Sequence, residues 1–347
     1  MHKINRMVFK EYDKHRSVFY FDRPSLNLKV FIAIHRNKTI FPSFGATRMM
    51  MYANEDEALN DALRLSRLMS YKSALAGLNY GGAKGVILFD GNHPDKSEVL
   101  KIYSDMVNEL KGKFITGADV GLSQEDVQLM TRNSPYFVGT KNKPEKCTAL
   151  GIVKGIEVCL KQVFGKGFIS DHTFAIQGLG KVGLDLLGLI YNQAGKIYVS
   201  DISSEKIEVA KNLYPNIVPV PVEDIFKLEI DVFCPCALAH AISPKMIAEL
   251  KCKIVAGGAN NQLFNQEVGD ALFSKGILYA PDYVINSGGL ISVADEYENR
   301  FKNENHIEKK LEHIKSVLET IFEQSQTQNL ATNRVADRLA EDIFNNH

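Results

Sequence analysis

Apolar and polar positions change period several times along the first 140 residues. Ser17–Phe21, Leu28–His35 and Phe44–Met50 are rich in aromatic and branched side chains with partial alternation, which predicts strands. Between residues 55 and 76, Ala58, Leu59, Ala62, Leu63, Leu65, Met69 and Leu75 recur at helical spacing. Asn54 is placed to cap that helix, Glu55 and Glu57 suit its first turn, and Gly77 ends it. A glycine-rich loop, Asn79–Gly85, is expected next, feeding a short apolar run at Val86–Phe89. Ile102–Leu110 predicts a helix, and Phe114–Thr116 a strand that stops at Gly117-Ala118-Asp119.

After about residue 140 the pattern becomes strand–helix alternation. Strands are predicted at Thr173–Gln177, Ile197–Ser200, Asp231–Cys234, Lys253–Ala256 and Ile277–Tyr279. Helices are predicted at Lys181–Tyr191, Ser204–Leu213, Ile247–Leu250 and Asn265–Phe273. Such a rhythm predicts a doubly wound parallel sheet. The end, 289–346, reads as mostly helical with a break near Gln326–Asn329. Asn142-Lys143-Pro144-Glu145 reads as a linker, placing a boundary near 138–148.

Composition narrows the function classes. A chain of 347 residues suits two domains. Lys+Arg and Asp+Glu are both 41, so the electrostatic footprint of a nucleic-acid or anionic-membrane binder is missing. No window approaches 18 consecutive apolar residues, and the charged start lacks the apolar core of a secretory leader. The cysteines, Cys147, Cys159, Cys234, Cys236 and Cys252, are odd in number and not spaced as a disulfide framework. They read as reduced thiols of a cytoplasmic protein. The histidines show no H-E-x-x-H or other metal spacing, so no metal is expected.

Gly178-Leu179-Gly180-Lys181-Val182-Gly183 matches G-x-G-x-x-G. Alone it is weak; its place between a β-rich pentapeptide and a helix is what a dinucleotide fold needs. Gly178 would allow the tight turn, Gly180 the approach of a pyrophosphate, and Gly183 close helix–strand packing. Asp201, 18 residues after Gly183, ends the second strand. There it could accept both ribose hydroxyls of NAD and repel the extra phosphate of NADP. The alternative is a packing turn with Asp201 capping the next helix. Cys234-Pro235-Cys236 reads as a structural turn rather than a redox or metal pair.

A second cluster lies in the first half. Lys72 follows the long helix, Lys84 sits among Gly81-Gly82-Ala83 and Gly85, and Asp119 lies in Gly117-Ala118-Asp119-Val120-Gly121. Burial and a second ammonium would both lower the pKa of Lys84. Bringing it from about 10.4 towards 7–8 takes roughly 3–5 kcal/mol and would make a general base. From spacing alone, a surface lysine on a glycine turn is the stronger reading.

Further residues decide between these readings. Gly45-Ala46-Thr47-Arg48-Met49, Asp61–Arg67, Tyr71-Lys72, Gly81–Lys84 and Asp119-Val120-Gly121 stand in one order along the first half. Gln177–Gly180, Pro235–Leu238, Ala259–Leu263 and Ala280–Asn286 continue it in the second. In these motifs, over nearly its whole length, the chain resembles the glutamate/leucine/phenylalanine/valine dehydrogenase family.

The resemblance implies a two-domain α/β fold. A substrate-binding and catalytic domain, 1–140, would close on a Rossmann-type NAD-binding domain, 141–327, with the active site in the cleft. The last helix, about 328–347, would pack back on the first domain. Lys72 would hold the substrate α-carboxylate, Lys84 would be the base, and Asp119 would relay a proton to or from the amino group. Asn286 would contact substrate or nicotinamide. Thr148, Ala237 and Asn260 would line the nicotinamide site. Gly178, Leu179, Gly180, Lys181, Val182, Gly183 and Asp201 would hold the rest of the cofactor. The implied reaction is reversible NAD-dependent oxidative deamination of an L-amino acid to a 2-oxo acid, ammonium and NADH. A cytoplasmic homo-oligomer, dimer or octamer, is implied as well, with no nucleic-acid or membrane partner. A tail ending at His347 puts the octamer in doubt.

Departures from the family pattern bear on the substrate. Glutamate-specific members carry a lysine where Phe44 stands, just before Gly45, and a serine at the place of Val293. Losing both polar anchors in a desolvated pocket disfavours a γ-carboxylate by several kcal/mol. An apolar amino acid is therefore expected, leucine or another branched-chain one first. Phe44 and Leu290 would narrow the pocket towards valine, whereas Val138 would suit a bulkier or aromatic side chain. Phenylalanine, valine and tryptophan remain alternative substrates. A catalytically silent dinucleotide-binding regulator is disfavoured by Lys72, Lys84, Asp119 and Asn286 standing together.

Overall fold

The computed structural model describes residues 2–3, 9–36, 42–141, 143–237, 240–299 and 307–345. Asn142, Leu238 and the tail end at His347, which entered the sequence reading, lie outside them. The chain divides into two compact units. The first comprises 1–142, 293–303 and 340–347; the second comprises 143–292 and 304–339. The terminal return to the first unit is therefore shorter than the expected 328–347. Residues 293–303 join that unit as well, which the strand–helix rhythm gives no means of seeing.

The first unit holds strands β1 (His2–Lys3), β2 (Ser17–Arg23), β3 (Leu28–Ile34), β4 (Ser43–Met50), β5 (Gly81–Leu88) and β6 (Phe114–Ile115). Its helices are α1 (Glu55–Leu75), α2 (Lys96–Glu109) and α3 (Gln124–Asn133). The strands form one mixed sheet in the order β1-β2-β3-β5-β4-β6. β5 is antiparallel to β3 and parallel to β4. Side chains alternate between the faces. Ala83 and Ile87 pack with Met49, Leu100, Tyr103 and Val107 on the α2 side. Val86 packs with Ala58, Leu59, Ala62 and Leu63 of α1 on the other. Asn54 caps α1 as expected, accepting the Glu57 N–H at 2.9 Å.

From Gly81 on, the expected glycine-rich loop at 79–85 is instead the first part of β5. Its glycines serve packing rather than flexibility. A Cβ on Gly82 would lie 2.0 Å from the backbone nitrogen of Ser70, so α1 rests directly on the strand. A Cβ on Gly85 would meet the Tyr103 hydroxyl at 2.1 Å.

In the second unit run α4 (Pro144–Phe164), β7 (Thr173–Gln177), α5 (Lys181–Ile190), β8 (Lys196–Ser200), α6 (Ser204–Leu213) and β9 (Val218–Pro219). They are followed by β10 (Val232–Pro235), α7 (Pro244–Ile247), β11 (Ile254–Val255), α8 (Gln266–Ser274), β12 (Leu278–Tyr279) and α9 (Asp282–Ile285). The last helices are α10 (Gly288–Glu298), α11 (Ile307–Gln328) and α12 (Thr332–Asn345); α10 and α12 each end in residues of the first unit. All six strands are parallel, in the order β12-β11-β10-β7-β8-β9. This is the doubly wound arrangement with β7 and β10 side by side at its centre. Pro144 lies in no linker but in the first turn of α4, where its missing N–H costs nothing. The sequence pattern had not suggested α4, whose Gly151 and Gly155 lower helix propensity. Both admit neighbours: a Cβ on Gly155 would stand 2.5 Å from the Ile285 side chain. Among the described residues no helix is long and apolar enough to cross a membrane.

Candidate active site

Alternation along β5 puts Lys84 on the same sheet face as Gly82 and Val86, towards α1. The register pairs Ala46 with Lys84, Phe44 with Gly82 and Arg48 with Val86. Phe44, Ala46 and Arg48 therefore share the face of Lys84. The lysine is 4% exposed, so the surface-turn reading is excluded. Its ammonium donates to Asp119 Oδ2 at 2.5 Å. Asp119 is carried there by the strand-like segment after β6: its N–H donates to Thr47 O, and Thr47 bridges Ala118.

Asp119 Oδ2 also accepts Arg48 Nε at 3.0 Å. Arg48 continues the chain, donating to Asp61 Oδ2 on α1 at 2.8 Å. Asp61 further accepts the Tyr52 hydroxyl at 2.8 Å and Arg64 at 2.7 Å. Burial pushes the Lys84 ammonium towards deprotonation, Asp119 opposes that, and the Arg48 charge adds to it. Burial works against the charge on Asp119, but Lys84 and Arg48 outweigh it and hold the carboxyl well below the usual range. Arg48 is thus a positive group acting on Lys84, where the sequence reading had looked to an ammonium. Arg48 and Asp61 had been noted only as parts of the family pattern. Bare spacing could not have given them roles, because their partners lie on other elements.

Other expected substrate contacts fall in the same unit. Lys72 is in the last turn of α1, half-buried. Gly45 lies so close to β5 that a Cβ there would stand 1.8 Å from Ala83 O. Phe44 is fully buried, its ring 4.4 Å from Tyr80 and 5.4 Å from Tyr297. The Tyr80 hydroxyl donates to Glu298 at 2.9 Å. Val138 is buried beside Gly117. Val293 lies across from Gly139, and Glu296, one turn on, accepts the N–H groups of Gly139, Thr140 and Lys141. Tyr80 and Tyr297 were missed in the sequence, since a lone tyrosine carries no spacing signal. Leu290 is buried on the part of α10 that belongs to the second unit.

The second unit brings the glycine motif to the switch point of its sheet. Gly178 has φ +97°, and a Cβ there would stand 2.8 Å from Ala237, just past β10. A Cβ on Gly183 would meet Gly178 O at 1.9 Å, so the helix presses on the turn. Beside Gly180 there is open space within 4 Å, and no side chain caps the N-terminus of α5. The free N–H groups and dipole end of α5 suit a phosphate. Leu179 N–H donates to Asp201 Oδ2 at 2.7 Å and Ser203 N–H to Oδ1 at 2.9 Å, so Asp201 also orders the turn. Lys181 pairs with Glu145, and Val182 packs near Gly258.

Asn286 Nδ2 donates to Asn260 Oδ1 at 2.9 Å and to Gly258 O at 3.2 Å. Its Oδ1 is buried with no hydrogen-bond partner, an acceptor left for a donor from outside the chain. Gly288 and Gly289 abut the start of α4, with Thr148 Oγ1 2.7 Å from where a Gly289 Cβ would be. Thr148, Asn260 and Asn286 thereby gather around one segment. Open backbone at Gly180 and the unsatisfied Asn286 oxygen fit a dinucleotide and its carboxamide. Burial raises the Cys236 thiol to about 11, as suits an inert packing residue beside Gly183 and Gly258. Among the described residues no group of acidic, histidine and cysteine side chains could hold a metal ion.

The first unit's residues 22–136 match the model of the Glu/Leu/Phe/Val dehydrogenase dimerisation domain, and residues 184–341 match that of the Glutamate/Leucine/Phenylalanine/Valine dehydrogenase. The chain belongs to the glutamate/leucine/phenylalanine/valine dehydrogenase family. It is 38% identical over 337 residues to the leucine dehydrogenase of Geobacillus stearothermophilus, covering 95% of this chain and 90% of that one. It is 40% identical to the L-tryptophan dehydrogenase of Nostoc punctiforme, covering 96% and 94%. The crystal structure of L-tryptophan dehydrogenase from Nostoc punctiforme superposes with TM-score 0.83 at 38% identity, over 96% of each chain. As a member of this family the protein is a dinucleotide-dependent amino-acid dehydrogenase.

Proposed function

We propose that this dehydrogenase oxidatively deaminates apolar L-amino acids, branched-chain ones first, with NAD and Lys84 as the base. The observation that carries it is the buried Lys84–Asp119 pair on a sheet face shared with Phe44. Lys72 supplies a point charge for the substrate α-carboxylate. When bound, the dinucleotide supplies a hydride acceptor at C4 of its nicotinamide ring. Loss of hydride from a neutral amine leaves an iminium at Cα. Lys84, as the free amine, takes a proton from water as its oxygen attacks that carbon. Asp119, a carboxylate at rest, takes the proton that the substrate ammonium gives up before hydride loss, returns it to the departing nitrogen, and takes up the hydroxyl proton as the carbinolamine collapses to 2-oxo acid and ammonia. Asp201 favours NAD by accepting ribose hydroxyls and repelling a 2′-phosphate.

Phe44, boxed in by Tyr80 and Tyr297, offers no cation to a γ-carboxylate. Kinship with both leucine and tryptophan dehydrogenases is compatible with any apolar side chain. The narrowing effect of Phe44 favours the branched ones. The family's dimerisation domain in the first unit supports a homo-oligomer.

A panel of twenty amino acids with NAD, followed by NADH absorbance, tests the reading. Leucine, isoleucine and valine should all react with modest ratios, and glutamate far more slowly. Glutamate within about tenfold of leucine in kcat/KM, a difference of only about 1.4 kcal/mol, would overturn the pocket assignment. Lys84→Ala should lower kcat by several orders of magnitude while NADH still binds. Lys72→Ala should chiefly raise KM, since the carboxylate is present in ground and transition states alike.

A further inference from the structure

We propose that Arg48 is a positioning residue for the deamination: gripped by Asp61, it holds Asp119 beside Lys84 and leaves Lys84 as the one uncompensated charge of the cluster. This rests on the reading of Lys84 as base and deepens it.

The argument begins with geometry. Arg48 uses two edges of one guanidinium. Nε donates to Asp119 Oδ2 at 3.0 Å, and a terminal nitrogen donates to Asp61 Oδ2 at 2.8 Å. A planar fork so held at both ends cannot swing, and it fixes the oxygen that also receives Lys84. Asp61 is itself fixed on α1 by Tyr52 and Arg64. Strand β4, helix α1 and the segment carrying Asp119 are thus tied together at the base.

Charge completes it. Two guanidinium groups, Arg48 and Arg64, face two carboxylates, Asp61 and Asp119. These four balance among themselves. A proton on Lys84 adds a charge beyond the balance of these four, in a site where the lysine is almost wholly buried. The free amine is the form that leaves the cluster neutral. Removing Arg48 would free Asp119 to act as counterion for an ammonium, locking Lys84 in the form that cannot accept a proton. The Tyr52 hydroxyl, which donates to Asp61, keeps its proton through burial and adds no charge to the cluster.

The two ends of the chain make opposite demands. Arg48→Gln removes a positive charge and should move the acid limb of the kcat/KM profile up by about one pH unit. Asp61→Asn removes a negative charge and should move it down. Arg48→Lys keeps the charge but not the fork. It should restore the limb most of the way while kcat stays below wild type. The substrate amine titrates identically in every variant, so differences between profiles belong to the enzyme. Lowered activity with an unmoved limb in Arg48→Gln, or shifts of the same sign in Arg48→Gln and Asp61→Asn, would overturn the proposal. If Arg48→Gln does not fold, the downward shift in Asp61→Asn carries the test alone, and its absence overturns the proposal. Failure of the base assignment looks different: Lys84→Ala would then keep the wild-type limb.

Discussion

The two units build their candidate sites from different materials. In the first, the proposed chemistry rests on side chains: Lys84, Asp119, Arg48 and Asp61 form an ionic chain across β5, β4 and α1. In the second, the cradle is mostly backbone: Gly178 at φ +97°, open Gly180, and the uncapped start of α5. A backbone site must be written as glycines at fixed spacing. A side-chain site needs only the right residues in contact, and contact is a property of topology. Glycines consequently mean different things in the two units. Gly82 makes room for a helix, whereas Gly180 faces open space.

That contrast predicts the largest effect. Gly82→Val would drive a side chain into the α1 backbone at Ser66–Ser70, which has no slack to give. A loss of at least about 3 kcal/mol is expected, roughly 6–12 °C in Tm for a unit of this size. Gly180→Ala points into open space and should change stability by less than about 0.5 kcal/mol. It should nevertheless weaken dinucleotide binding about tenfold or more, because the methyl occupies the pyrophosphate's approach. Calorimetry and NADH fluorescence titration on both variants measure this. Equal losses of stability in the two would erase the distinction.

Acid should also separate the units. His15 and His35 are buried against each other in the first, their rings 4.8 Å apart. His15 meets Leu63 O and Ser66, and His35 meets Ser70 and Asp13. Burial lowers His15 to about 4; burial, then the neighbouring His15, lowers His35 to about 3. Unfolded, both rings take a proton near 6.5, so the unfolded chain binds more protons below that pH. Stability is complete above pH 6.5 and drains as pH falls towards 4 and then 3. His15 alone accounts for roughly 3 kcal/mol of it. No buried histidine pair occurs among the described residues of the second unit. Hydrogen exchange at pH 4.5 should therefore show the first unit opening before the second, and His15→Gln should flatten the pH dependence.

What the sequence disclosed follows the same division. The parallel sheet was legible because each strand is a short apolar run bounded by turns, and G-x-G-x-x-G follows one of its central strands. The 21-residue α4 escaped because Gly151 and Gly155, needed for contact with α9 and α11, disguise it. In the first unit, Lys84 was picked out by its small neighbours, yet those neighbours were misread as a loop. The Arg48–Asp61 link joins a strand to a helix 13 positions on, and no periodicity encodes that meeting. Asp201 was singled out by position alone, and the structure shows that it ties down the turn at Leu179.

Asp201→Ser therefore carries two expectations. The gap between NAD and NADP in kcat/KM should narrow about ten- to a hundredfold, or about 1.4–2.7 kcal/mol. Affinity for both should fall slightly, because Leu179 and Ser203 lose their carboxylate acceptor. A wild type that already prefers NADP would refute the ribose assignment, while the loop's loss of order would still be seen by hydrogen exchange at Leu179.

The smallest effect is expected at Phe44, where side-chain volume rather than charge is at stake. Its ring is wedged between Tyr80 and Tyr297, and Tyr80 is tethered to Glu298. The ring cannot turn aside to admit a longer substrate without disturbing both tyrosines. Phe44→Leu shortens the wedge and leaves the Lys84–Asp119 chain untouched, since Arg48 meets its own partners four residue pairs further along β4. One methylene of fit is worth about 1–3 kcal/mol, so the ratio of phenylalanine or methionine to valine in kcat/KM should rise about ten- to a hundredfold. kcat for leucine should stay within a few-fold of wild type. Comparing valine with phenylalanine in the same variant cancels any loss of folded enzyme. An unchanged ratio would mean that Phe44 is packing for the tyrosines alone and that the side-chain limit lies with Val138 or Val293.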